Sequence, residues 1–73
     1  MRIKQREQLL RQGLEILTKR ERAALVLREI QGFSAAEIGA MLDIKEATVR
    51  GHIHRGRTKL ARFIKARSWN ALS

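Results

Sequence analysis

Apolar residues recur at helical spacing in four blocks, and residues that start or stop helices lie between them. Ile3, Leu10, Leu14 and Leu17 fall on one stripe of a first helix whose other faces carry Lys4, Arg6, Glu7, Arg11 and Glu15, with Gly13 weakening it. Thr18 and Glu21 have the T-x-x-E spacing of a capping box, opening a second helix in which Ala23, Ala24, Leu27 and Ile30 supply the buried side. Gly32 ends it, since glycine accepts the left-handed conformation needed just past a helix. Phe33 then precedes a second box, Ser34 with Glu37, and is placed to staple onto the helix that starts at about Ala35. Ile38, Met41 and Leu42 line one side of that helix. The pattern breaks at Leu42-Asp43-Ile44 and resumes with Val49, Ile53, Leu60 and Ile64, predicting a last helix from about Glu46 to near Arg67. Its start is poorly capped, because Lys45 stands where Ser, Thr or Asp is preferred. Asp43 fills a turn position where glycine is common, and Asp tolerates that geometry better than most residues. With no Pro or Tyr, one Trp and two Phe, the expected fold is all-α, a small four-helix domain.

Ser34 to Leu60 therefore reads as a short capped helix, a tight turn and a long helix, the layout of a helix-turn-helix at about 34–64. Opposite Val49 and Ile53, the second helix of the pair presents Ala47, Arg50, Gly51, His54, Arg55 and Thr58, a face that is polar, basic and small. The net charge of +9 is unevenly spread: residues 1–44 hold eight basic and six acidic side chains, residues 45–73 eight basic and one acidic. Lys45, Arg50, Arg55, Arg57, Lys59, Arg62, Lys65 and Arg67 have only Glu46 among them. A solvated helix without a partner intersperses both signs, so this stripe points to a polyanion, and duplex DNA fits it better than an anionic membrane surface.

Size narrows the remaining functions. A chain of 73 residues makes one domain, 1–73, which buries only ~60% of its unfolded surface and offers no room for a large catalytic pocket. The absence of Cys removes disulfides and thiolate zinc sites and suits a reducing cytoplasm. No run approaches the ~18 apolar residues of a membrane span, and MRIKQREQLL lacks the apolar stretch of a signal peptide. His52 and His54 are two apart and point to different sides of a helix, so no metal site is expected, and no cofactor. No nucleophile, base and orienting group converge, which argues against an enzyme. Phe63, Trp69 and Leu72 are read as core and tail packing.

The segment LTKRERAALVLREIQGFSAAEIGAMLDIKEATVRGHIHRGRTKL resembles region 4, the C-terminal DNA-reading domain of bacterial sigma factors, most closely the extracytoplasmic-function class. The resemblance covers roughly residues 14–63, and its most specific parts are ERAALVLREIQGFS, the EI…ML…I…TVR skeleton and HRGR, similar to the family's H-R-A-R. It implies a monomer whose long helix enters the major groove of the minus-35 promoter element and whose domain grips the beta flap of RNA polymerase. It implies Arg50, Gly51, His54 and Arg55 as groove-facing residues, with Thr48, Arg57 and Lys59 nearer the DNA backbone; Lys45 of the basic stripe completes the expected DNA-binding set. An anti-sigma factor is a further partner the family suggests, and a half-exposed Trp69 leaves room for a protein contact. Thr18 replaces a usual Pro, Gly39 an Ala, Asp43 a Gly and Gly51 a Ser. The alternative is the LuxR/NarL type of response-regulator output domain, which shares the EI…L…I…TV…H…KL skeleton and the L-T-x-R-E opening. The fourteen positions from Thr18 to Gly32, one more than that family has, favour the sigma pattern.

Overall fold

The computed structural model describes residues 3–72, with the side chains of residues 4–67. Four helices form in chain order: α1 (Ile3–Glu15), α2 (Lys19–Leu25), α3 (Ala35–Leu42) and α4 (Glu46–Leu72). Both expected capping boxes are formed. Thr18 Oγ1 accepts from the Glu21 N–H at 3.2 Å while Glu21 Oε1 accepts from the Thr18 N–H at 3.0 Å. Ser34 Oγ and Glu37 make the same exchange at 3.1 and 2.9 Å. Each box satisfies two of the donors that a helix start leaves without partners.

α2 does not run evenly to Gly32. Val26–Ile30 widens into a π-helical turn, in which the Gln31 N–H reaches back to Val26 C=O at 3.2 Å and the Phe33 N–H to Leu27 C=O at 3.0 Å. Gly32 then takes φ 77°, as its stop role requires.

The core is built from Leu17, Ala24, Leu25, Ile38, Val49 and Ile53, with Leu14, Leu27, Phe33, Leu42, Ile44 and Leu60 packed around it. Burying each such aliphatic side chain is worth about 1.5–3 kcal/mol. Several expected core residues lie elsewhere. Ile30 is 66% and Met41 52% exposed, Leu10 is also exposed, and Ala23 is only half-buried. Their helical spacing is right, but the packing of the described residues leaves their side of the helix partly uncovered. Leu25 is buried instead, one position from the expected stripe. Ile3, Trp69 and Leu72 lie outside the residues whose side chains are described.

Gly13, expected only to weaken α1, marks where that helix meets α4. A Cβ there would run into Leu60 Cδ1 and come within 3.2 Å of Phe63. The turn between α3 and α4 is tight for two reasons. Asp43 adopts the left-handed conformation, φ 57° and ψ 49°, and the Gly39 carbonyl accepts from the N–H groups of both Asp43 and Ile44. Gly39 itself is buried so closely that a Cβ would stand 2.8 Å from the Ile44 carbonyl oxygen, a backbone atom that cannot swing aside.

These two positions predict opposite effects. Asp43→Gly removes the left-handed penalty of a residue with a Cβ and should raise stability by about 0.5–1 kcal/mol. Gly39→Ala should lower it by about 1–3 kcal/mol through overpacking. Denaturant midpoints of both variants check this, and a stabilised Gly39→Ala would refute the close approach.

Candidate nucleic-acid interface

α4 carries the candidate surface because its other edge is held by the core. Val49 and Ile53 are buried, and Gly56 lies against Leu17 and the backbone of Glu21. At 100° per residue this fixes which side chains point outward. Lys45, Ala47, Thr48, Arg50, His54 and Arg55 are exposed, while Gly51 and Thr58 are half-buried. The expected face, Ala47 to Thr58, thus runs along about three successive turns. Arg50 bonds Glu46 one turn earlier at 2.7 Å, an exposed i,i+4 pair of the kind worth only about 0.3–0.5 kcal/mol. A competing anion can take that guanidinium. The Arg55 guanidinium folds back beside Gly51, where a Cβ would lie 3.2 Å from its Nη1, and its Nη2 sits 3.1 Å from His52 Nδ1.

The remaining two basic candidates leave the helix on its flanks and meet carboxylates of the second helix. Arg57 pairs with Glu29 of the π-helical turn, both partners being substantially exposed. Lys59 Nζ donates to Glu21 Oε1 at 2.8 Å, and Arg55 Nε lies 3.6 Å from Glu21 Oε2. Glu21 is 3% exposed. The Lys59 ammonium and the Thr18 N–H hold its carboxyl below the usual carboxylate range, against the opposing effect of burial. The sequence marks Glu21 as a cap alone; the two cations it also serves come from α4, Lys59 being thirty-eight positions along the chain.

Arg28 is a candidate that the sequence did not single out. It lines a shallow hollow with Ser34, Ala35, Glu46, Arg50, Ile53, His54 and Arg57, where the start of α3 meets α4. Only its position in the nearly charge-balanced first half hid it. Its Nη1 donates to Phe33 C=O at 3.2 Å, and two other arginines of that half are likewise tied to carbonyls. Arg22 Nε donates to Leu14 C=O at 2.9 Å, closing the end of α1, and Arg20 Nη1 donates to Leu42 C=O at 3.1 Å, tying α2 to the end of α3.

On another side, Leu10, Leu14, Leu25, Val26, Ile30, Leu60, Ala61 and Ile64 line an apolar groove of about 560 Å³, rimmed by Glu29 and Arg57. The exposed Ile30 and Leu10 belong to it. Among the described residues no group of His, Asp or Glu is arranged to hold a metal ion, and no helix is long and apolar enough to cross a membrane.

The family model "Sigma-70, region 4" matches residues 7–60, from within α1 to Leu60 of α4. The chain belongs to the sigma-70 region 4 family. It is also 46% identical over 59 residues to the ECF RNA polymerase sigma factor SigE of Mycolicibacterium smegmatis, an alignment covering 81% of this chain and 23% of that relative. The chain thus corresponds to about a quarter of a full-length sigma factor of that class. Region 4 membership bears out the resemblance seen in the sequence and does not favour the LuxR/NarL reading.

The buried carboxylate gives this region 4 domain an acid-sensitive joint. Because Glu21 has a lower pKa folded than unfolded, its contribution is complete above the ordinary carboxylate pKa of about 4.3 and is lost as pH falls through the folded value. Glu37, held down by the Ser34 N–H, acts in the same direction. Glu21→Gln should cost about 1–2 kcal/mol at neutral pH, discounted for the solvent around Lys59. Thermal unfolding of the two proteins should converge as pH falls below about 4. A gap that persists unchanged into acid would contradict the role of the charge.

Proposed function

We propose that this chain is the promoter-reading domain of an extracytoplasmic-function sigma factor, binding the minus-35 element in duplex DNA and docking on RNA polymerase. The observation that carries it is the two-sided α4: a helix anchored by Val49 and Ile53 that offers Arg50, Gly51 and His54 to solvent on consecutive turns, next to the short capped helix α3. In this reading the first turns of α4 enter the major groove, where Arg50 suits bidentate bonding to guanine and His54 and Arg55 lie alongside. Lys45, Thr48 and Arg28 lie near the phosphates, and Arg57 can exchange its exposed carboxylate partner for one. Gly51 offers no side chain to a base, so its part is to admit the backbone of the helix closely to the groove floor.

The apolar groove beside α1 supplies the second half of the function. It fits an apolar segment of the polymerase, of which the beta flap is the candidate. A polymerase partner places this work in the cytoplasm. An anti-sigma factor would compete for the same surfaces, and no catalytic step is involved. DNA binding by the isolated domain should be weak and one-to-one, because a full-length sigma factor gains from polymerase and a second promoter contact through effective concentration.

If about four to six phosphates are neutralised, the logarithm of affinity should fall against the logarithm of salt with a slope of roughly −4 to −5. Arg50→Ala should cost about 1–3 kcal/mol on a duplex selected from a random library and relax preference at particular positions. Sedimentation should give one copy per short duplex, and titration with a beta-flap fragment should saturate. Two copies on a two-fold site without flap binding would refute the sigma reading, and a salt slope near zero would remove DNA altogether.

A further inference from the structure

Glu21 sits on α2, outside the helix-turn-helix, yet two cations of the DNA-facing helix converge on it. Lys59 Nζ is 2.8 Å from one carboxylate oxygen and Arg55 Nε 3.6 Å from the other. The first oxygen also accepts from the Thr18 N–H, so the carboxylate cannot turn outward without opening the cap of α2. Glu29, by contrast, meets Arg57 at the surface, and solvent or a phosphate can replace it.

The difference matters because sequence-independent affinity for DNA comes from cations that release condensed counterions when they meet phosphates. A cation already neutralised by a buried carboxylate contributes little to that release. Separating Lys59 from Glu21 would leave a buried charge without its partner, an expensive state. We propose that Glu21 is a specificity-determining positioning residue: its buried carboxylate keeps Lys59 off the phosphate backbone and braces Arg55 beside Gly51, so that sequence-blind attraction is restrained and groove contacts decide where the domain binds. The proposal rests on the DNA-binding reading above and adds a residue to it that touches no DNA.

Glu21→Gln tests this without removing the cap, since T-x-x-Q also forms a capping box. With a mixed-sequence duplex as probe, the salt slope of the variant should steepen by about 1, the share of one released lysine. Its affinity for that duplex should rise several-fold at low salt, and its preference for a selected duplex over the mixed one should fall. Adding Lys59→Met to the variant should return the slope to the original value. An unchanged slope in Glu21→Gln overturns the proposal. In the unmutated chain, the Lys59 ammonium resonance should keep its position when duplex is added, and a large perturbation overturns the proposal even if the variant does not fold. A near-zero slope in the unmutated chain refutes DNA binding itself, whereas a normal slope that Glu21→Gln fails to alter refutes this inference alone.

Discussion

Val49 and Ile53 are buried on the same two turns of α4 that expose Arg50 and His54, so the helix that holds the core together is also the helix that carries the candidate basic face. α4 packs on α1, α2 and α3 alike. One residue of slip would turn its outward face by 100° and bring a charged side chain into the core, which makes the azimuth of Arg50 as firmly fixed as the burial of Val49. A groove-reading surface needs this: side chains on a packed helix are held in place more closely than side chains on a loop. The tight approach at Gly39 and the left-handed Asp43 set where that helix begins and how near its start lies to α3.

Much of this was legible in the sequence because it is local. Both capping boxes depend on residues three apart, and their spacing is visible without any knowledge of the fold. The stop at Gly32, the strained turn at Asp43 and the buried trio of Ile38, Val49 and Ile53 follow from the same short-range rules. The candidate face at Arg50, Gly51 and His54 was readable because it lies opposite that buried edge.

What was not legible depends on distant neighbours. Periodicity identifies an apolar face, yet whether anything covers it is decided by the packing of other helices, and for Ile30, Met41 and Leu10 the described residues leave it partly uncovered. The π-helical turn has no marker in the spacing of VLREI. Arg22 closing α1 and Arg20 reaching Leu42 are bonds between a side chain and remote carbonyls, which residue types alone do not specify. Glu21 is the sharpest case. Its local role as a cap is complete in itself, so nothing in the sequence calls for the second role it takes with Arg55 and Lys59.

The surplus of positive charge consequently overstates the cations available to a polyanion. Arg20, Arg22 and Arg28 are engaged with backbone carbonyls, Lys59 with a buried carboxylate and Arg57 with an exposed one. Two surfaces of unlike chemistry result, and Arg57 lines both. On one side the cations of the first turns of α4 remain accessible; on the other Leu10, Val26, Ile30 and Ile64 leave an apolar groove. A chain this small cannot spread a core beneath both. The apolar side chains that its core cannot accommodate are gathered in that groove, where a protein partner can bury them.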